Sequence, residues 1–460
     1  MAKYIFLCFF MVSYLLSVEA QVYVNSISQL QTEITNASGD ITIKFGPGFP
    51  ATLPDIISTT AITHEYDIVI DGEKTDGTSI ELTCAPGKRH FNISKSTSAT
   101  GGIITFKNII FKGLRTSIDI STGNGGASGG GINIDAGYAL PYKFENVLFS
   151  SINGSALSAS GNVDIVNSTF ENNYTGGHGA AITGTGDMNI AYCTFTGNVS
   201  DWSGYSGGAI GVNSHSGTIN IKRSVFLENR SATRGGAISS HNGNNCSLII
   251  DECYFEGNKT TTPTGNADGG AVSVYGAAGV IFELSNSTFY RNRAADDGGA
   301  VFIENHAPGA SNLIVNCTMF ENCAEDVNPA TASGLNVATA GGAIQASVTS
   351  VVTLKSNTIV RNYTTSTYRR GGGLGIHANT LGVPTFILKN NIILGNYIFD
   401  INEIHNNHAN IGRALLSAVI TNNGGNLGID NGTALPSGYN IGKYSRKCYG
   451  KLSIWLQFQQ

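Results

Sequence analysis

The most constraining feature of this sequence is a short pattern that recurs ten times between residues 104 and 393. Each copy carries two apolar residues two apart and, five residues after the second, a large apolar residue that is usually Phe. Ile219, Ile221 and Phe226 make one such set, and Leu248, Ile250 and Phe255 the next. Only Asn312 breaks the first apolar column, with Leu313 beside it. In the last eight copies an Asn follows three residues after the large apolar position: Asn173, Asn198, Asn229, Asn258, Asn292, Asn322, Asn362 and Asn396. A variable loop and a Gly-Gly-Ala-aliphatic motif, as in Gly235-Gly236-Ala237-Ile238, complete the unit.

Apolar residues two apart are strand spacing, and a unit of 25 or more residues without helical periodicity must close through short strands and turns. One such coil cannot bury its own apolar face, so it stacks on the next at roughly 4.8 Å. The pattern therefore predicts an all-β fold, a right-handed parallel β-helix (solenoid) of about nine to ten coils with like residues piled over like. A column of Asn can pass amide hydrogen bonds from coil to coil at a bend. The glycines suit a corner where a side chain would clash. A leucine lattice and the regular Trp marks of a propeller are both absent.

Composition agrees. Charged residues make up only 13% while Gly numbers 58, which suits many strands and turns rather than salt-bridged helices. The net charge of -5 leaves no basic stripe for nucleic acid. Residues 1–20 read as a signal peptide, with Lys3, an apolar run from Ile5 to Leu16, and Val18-Glu19-Ala20 before Gln21. The run is short for a membrane anchor, and no later stretch is long and apolar enough, so no transmembrane span is expected after cleavage. Residues 21–100 are expected to form an N-terminal cap and the first coils, 101–400 the repeats, and 401–460 an irregular C-terminal tail. Ile27, Leu30 and Ile34 predict a short capping helix over 26–36, with Ser28 and Gln31 as its capping box. Ile68 to Gly72 reads as the first regular strand.

Several residues bear on chemistry. The position just before the glycine motif holds Arg234, Asp268 and Asp297 on three successive coils. Stacked carboxylates beside a guanidinium would share a proton, hold Ca²⁺, or act as acid and base on a uronate sugar. These are the catalytic and calcium candidates, and no other cofactor is expected. The simpler reading is a surface Arg234–Asp268 ion pair with Asp297 in solvent. Gly177-His178-Gly179 and Asp296-Asp297 have the residue types of a galacturonan hydrolase, but in the wrong order and several coils apart. Cys193, Cys253 and Cys317 alternate with Ser168, Ser224 and Ser287 in one column, a spacing too wide for disulfides along it. Cys246 with Cys253, or Cys317 with Cys323, would be the local pairings. Asn-x-Ser/Thr sequons are frequent, and in a eukaryotic host Asn36, Asn92, Asn153, Asn245 and Asn431 would be open to glycosylation. Those that coincide with the Asn column are expected to be by-products of the repeat.

Gly207-Gly208-Ala209-Ile210 with Phe226 to Asn229, and Gly235-Gly236-Ala237-Ile238 with Phe255 to Asn258, resemble the polymorphic outer-membrane-protein repeats of chlamydial adhesins. The resemblance spans roughly residues 101–400 and implies the pectin-lyase-like β-helix, surface display and adhesion. The chain reaches Gln460 without that family's membrane barrel, so self-anchoring is not expected. The expected function is that of a secreted or cell-surface, non-catalytic protein binding glycans, extracellular matrix or other cell-surface molecules. A lyase or hydrolase of acidic polysaccharide and a structural coat protein are the alternatives.

Overall fold

The computed structural model describes residues 20–423, except for loop stretches of which 114–129, 326–340, 399–406 and 409–418 are the longest. The chain winds as a right-handed parallel β-helix whose coils stack into four sheets of 14, 12, 9 and 11 strands. In chain order around a coil these are called sheets I, II, III and IV. One coil runs through Thr218–Lys222 in sheet I, Val225–Leu227 in II, Arg230–Ser231 in III and Ile238–Asn242 in IV. Every strand pair in the stack is parallel except that of Tyr397–Ile398 with Asn407–His408.

The register places like on like. Phe195 pairs with Phe226, and Phe226 with Phe255. Their rings stack inside the tube at centroid separations of 4.7 Å and interplanar angles of 3° and 5°. The same file continues from Phe111 through Phe149 and Phe170 at one end to Phe289 at the other. These Phe side chains are fully buried, and the Ile, Val and Leu pairs of sheet I complete the interior.

Three corners shape the outside. Between sheets I and II, and again between II and III, one residue per coil adopts a left-handed backbone. Between III and IV the first glycine of the motif is left-handed in several coils, with φ of 62° at Gly235 and 69° at Gly269. The second must be glycine for space: a Cβ on Gly236 would lie 2.0 Å from the carbonyl oxygen of Gly270 in the next coil.

The ends differ from the sequence expectations. Sheet I holds 14 strands rather than nine or ten, because stacking continues into both flanks. Ala20–Val24 and Ile41–Phe45 pair in parallel ahead of Ile68–Asp71, so the latter is the third strand of its sheet, not the first. These strands keep the apolar alternation without the glycine and Asn motifs, which is why the repeat spacing missed them. Val419–Asn422 likewise adds a strand beyond residue 400. The helix Ile27–Thr35 buries Leu30 and Ile34. Its cap is Ser26, whose Oγ accepts from the Gln29 N–H at 3.2 Å, while Gln29 Oε1 accepts from the Asn25 N–H at 3.0 Å. Ser28 lies inside the first turn and Gln31 donates to the Ser58 carbonyl instead. Among the described residues no helix is long and apolar enough to cross a membrane. Residues 1–19 and 424–460 lie outside the described part, and with them most of the leader and tail.

Candidate functional site

At the glycine corner Arg234, Asp268 and Asp297 are buried rather than in solvent. Each residue is only 4–5% exposed, which corrects the reading of a surface pair with Asp297 solvated. Arg234 lies back across the outer face of sheet IV, over the rings of Tyr275 and Phe302. Its Nε is 3.8 Å from Asp268 Oδ2 and its Nη2 is 3.3 Å from Glu304 Oε2. Asp268 Oδ1 accepts from the Asp297 N–H at 3.4 Å. Glu304, from sheet IV, is thus a second carboxylate on the guanidinium. Burial pushes the Asp268 carboxyl up to about 7, with Arg234 opposing and Asp296 and Glu304 reinforcing the rise. Among the described residues no group of three or more His, Cys, Asp or Glu side chains converges to hold a metal ion. The cluster is enclosed, and its geometry is that of a clamp between three coils.

The Asn column is a continuous hydrogen-bonded ladder. Asn229 Nδ2 donates to the Phe195 carbonyl and to Asn258 Oδ1, both at 2.9 Å, and its N–H also donates to Asn258 Oδ1 at 3.0 Å. Asn173, Asn198, Asn258, Asn292 and Asn322 are all fully buried in the same arrangement. The Ser/Thr two residues on is buried as well: Ser200 Oγ donates to the Gly177 carbonyl and Ser231 Oγ to that of Ser206, each at 2.7 Å. Both ends of these sequons therefore have structural work. Asn36 and Asn153 are exposed, Asn92 is half-buried in a strand, and Asn245 and Asn431 lie outside the described residues.

Cys193, Cys253 and Cys317 are free thiols, as are Cys246 and Cys323, so neither local pairing forms. Cys253 Sγ donates to the Asp251 carbonyl at 3.2 Å, as Ser224 Oγ does to that of Lys222 at 2.8 Å. Burial pushes the Cys193, Cys253 and Cys317 thiols up to about 12.

An accessible constellation lies on the outer face of sheet II, where residue-type reasoning did not look. At the I/II corner the left-handed position is Asn in six coils and Ser356 in another, but Tyr192, Arg223 and Glu252 in three consecutive ones. Asn tolerates positive φ, whereas bulkier side chains do so at a penalty on the order of 1 kcal/mol each. These three are exposed and interact: Arg223 donates to the Tyr192 hydroxyl and pairs with Glu252. At the II/III corner the same role falls to Ser151, Asn172, Gly197, Glu228, Gly257 and Gly395, and in three consecutive coils to Arg291, Glu321 and Arg361. Glu321 bridges the two guanidiniums at 3.0 and 3.1 Å. Arg291 and Arg361 lie over Tyr290 and Phe320, whose rings stack at 5.5 Å. A half-open concavity of about 370 Å³ is lined by Arg291, Arg293, Glu321 and Tyr363. The signal was present in the alignment of the repeats, as charged residues in a column that favours Asn or Gly.

Gly177-His178-Gly179 and Asp296-Asp297 do not meet. They follow sheet III strands four positions apart, roughly 19 Å along the axis, and the His178 ring contacts Trp202 at 6.2 Å. Comparison of the chain with family models, with curated proteins and with solved structures finds no match.

Proposed function

We propose that this is a secreted or cell-surface, non-catalytic protein that binds glycans of matrix or cell surfaces along the outer face of sheet II. The observation that carries the reading is the replacement of Asn and Gly at left-handed positions by contiguous Tyr, Arg and Glu. Strained backbone that a neighbouring coil avoids with Asn is retained where the side chain has another use. The resemblance of the repeats to adhesin repeats and the leader-like N-terminus support display outside the cell. An enzyme acting on acidic polysaccharide has one point in its favour, the proton that Asp268 holds near neutrality beside Arg234. Against it, the Arg234 and Asp268 side chains are only 7% and 6% exposed.

A glycan array with product analysis by mass spectrometry separates the two. Retention without cleavage is expected. The combined Arg291→Asn, Glu321→Asn, Arg361→Asn variant installs a residue that tolerates positive φ, as Asn172 does at the same corner, so thermal stability should hold or rise while retention is lost. Unchanged retention by that variant, or release of shortened products, would sink the proposal.

A further inference from the structure

The two corner groups on sheet II are offset along the axis, and the offset has a consequence for the shape of the ligand. Tyr192, Arg223 and Glu252 occupy three coils at the I/II edge, and Arg291, Glu321 and Arg361 occupy the next three at the opposite II/III edge. Between them, on the strand face itself, Tyr254 donates to Glu256 at 2.8 Å. Tyr290 lies on the adjacent strand, beneath Arg291. Rings and planar charged groups thus form one oblique track over six consecutive coils, roughly 24 Å along the axis. The neighbouring outer positions of sheet II are Thr194, Thr196, Val225, Leu227, Thr288 and Thr318, which carry no charge and no ring, so the track stands out from its surroundings.

Its charge is close to balanced, with a slight excess of carboxylate. Arg223, Arg291 and Arg361 face Glu252, Glu256 and Glu321, and Glu228 is exposed at the II/III corner beside them. Arg223 pairs with Glu252, and Arg291 and Arg361 both pair with Glu321. A track without net positive charge gives no long-range attraction to a polyanion. It offers alternating donors and acceptors between aromatic rings, which suit hydroxyls and apolar C–H faces. Both edges of each sheet II strand within the track are already paired, which closes the face to an added peptide strand. Resting on the glycan-binding reading above, we infer that the track takes a single linear, uncharged polysaccharide lying obliquely across sheet II, with both corner groups engaged by one chain.

Isothermal titration of the full chain with di- to hexasaccharides of cello-, manno-, xylo- and chito-type tests this, with oligogalacturonates and heparin fragments as the anionic arm. A neutral hexasaccharide should bind at least about tenfold tighter than its disaccharide, with little response to added salt. Tyr192→Asn and Arg361→Asn, at opposite ends of the track, should each weaken the hexasaccharide by about tenfold while leaving the thermal midpoint in place. Equal affinity for disaccharide and hexasaccharide, or loss at one end only, overturns the single-chain track. Tighter, salt-sensitive binding of the anionic arm overturns the uncharged ligand but leaves glycan binding standing. If no sugar of either arm binds, both readings fall.

Discussion

Asn229 uses its whole hydrogen-bonding capacity inside the wall of the tube. Its amide nitrogen serves one carbonyl and one neighbouring Asn, and its oxygen accepts from the N–H and Nδ2 of Asn198. Truncation would strand the Asn198 donors and the Phe195 carbonyl where water does not reach. Asn229→Ala should therefore cost roughly 3 kcal/mol, read as a lowered urea midpoint at unchanged slope. The Cys/Ser column shows the opposite tolerance, since a thiol at Cys253 and a hydroxyl at Ser224 or Ser287 donate to equivalent carbonyls. In both columns the residue type is read directly from the repeat, because one short side chain meets one fixed geometry. The fate of Arg234 and Asp268 was not legible in that way. A long side chain reaches across two coils to Glu304, which is distant in sequence.

At the scale of the corner, the III/IV turn combines required glycines with a buried charge cluster. Asp268 is held up near 7 in the fold, against an ordinary carboxyl in the unfolded chain. The folded state then binds more protons than the unfolded state between about pH 4 and pH 7, so stability falls as pH rises through that window. Below it both states are protonated and the penalty is absent. Asp268→Asn should flatten the dependence, measured as urea midpoints across pH 4–8. A variant that keeps the wild-type slope would assign the effect elsewhere. The corners around sheet II differ in kind, because Arg291, Glu321 and Arg361 sit outside at positive φ and answer to solvent and ligand rather than to the core.

At the scale of the molecule, each coil touches its two neighbours, so stability is close to a sum of coil and interface terms. Phe170 and Phe195 occupy the same register position in adjacent strands. Excision of residues 170–194 should consequently join Thr169 to Phe195 in register and leave a folded, cooperatively melting solenoid one coil shorter. Circular dichroism and a denaturant curve would check it, and an unfolded product would show that the coils are not interchangeable units.

The repeat alone determined that this chain is a β-helix, where its Phe file and Asn ladder run, and why the sequons on the ladder recur. Each of these follows from side chains one coil apart meeting their own kind at a fixed spacing. Tertiary structure alone decided that the Arg234 cluster is enclosed, that the cap strands and residues 419–422 join the stack, and that nine scattered corner and face residues line up across sheet II. Those outcomes depend on where long side chains reach and which face of a strand meets solvent, and a one-dimensional period carries neither.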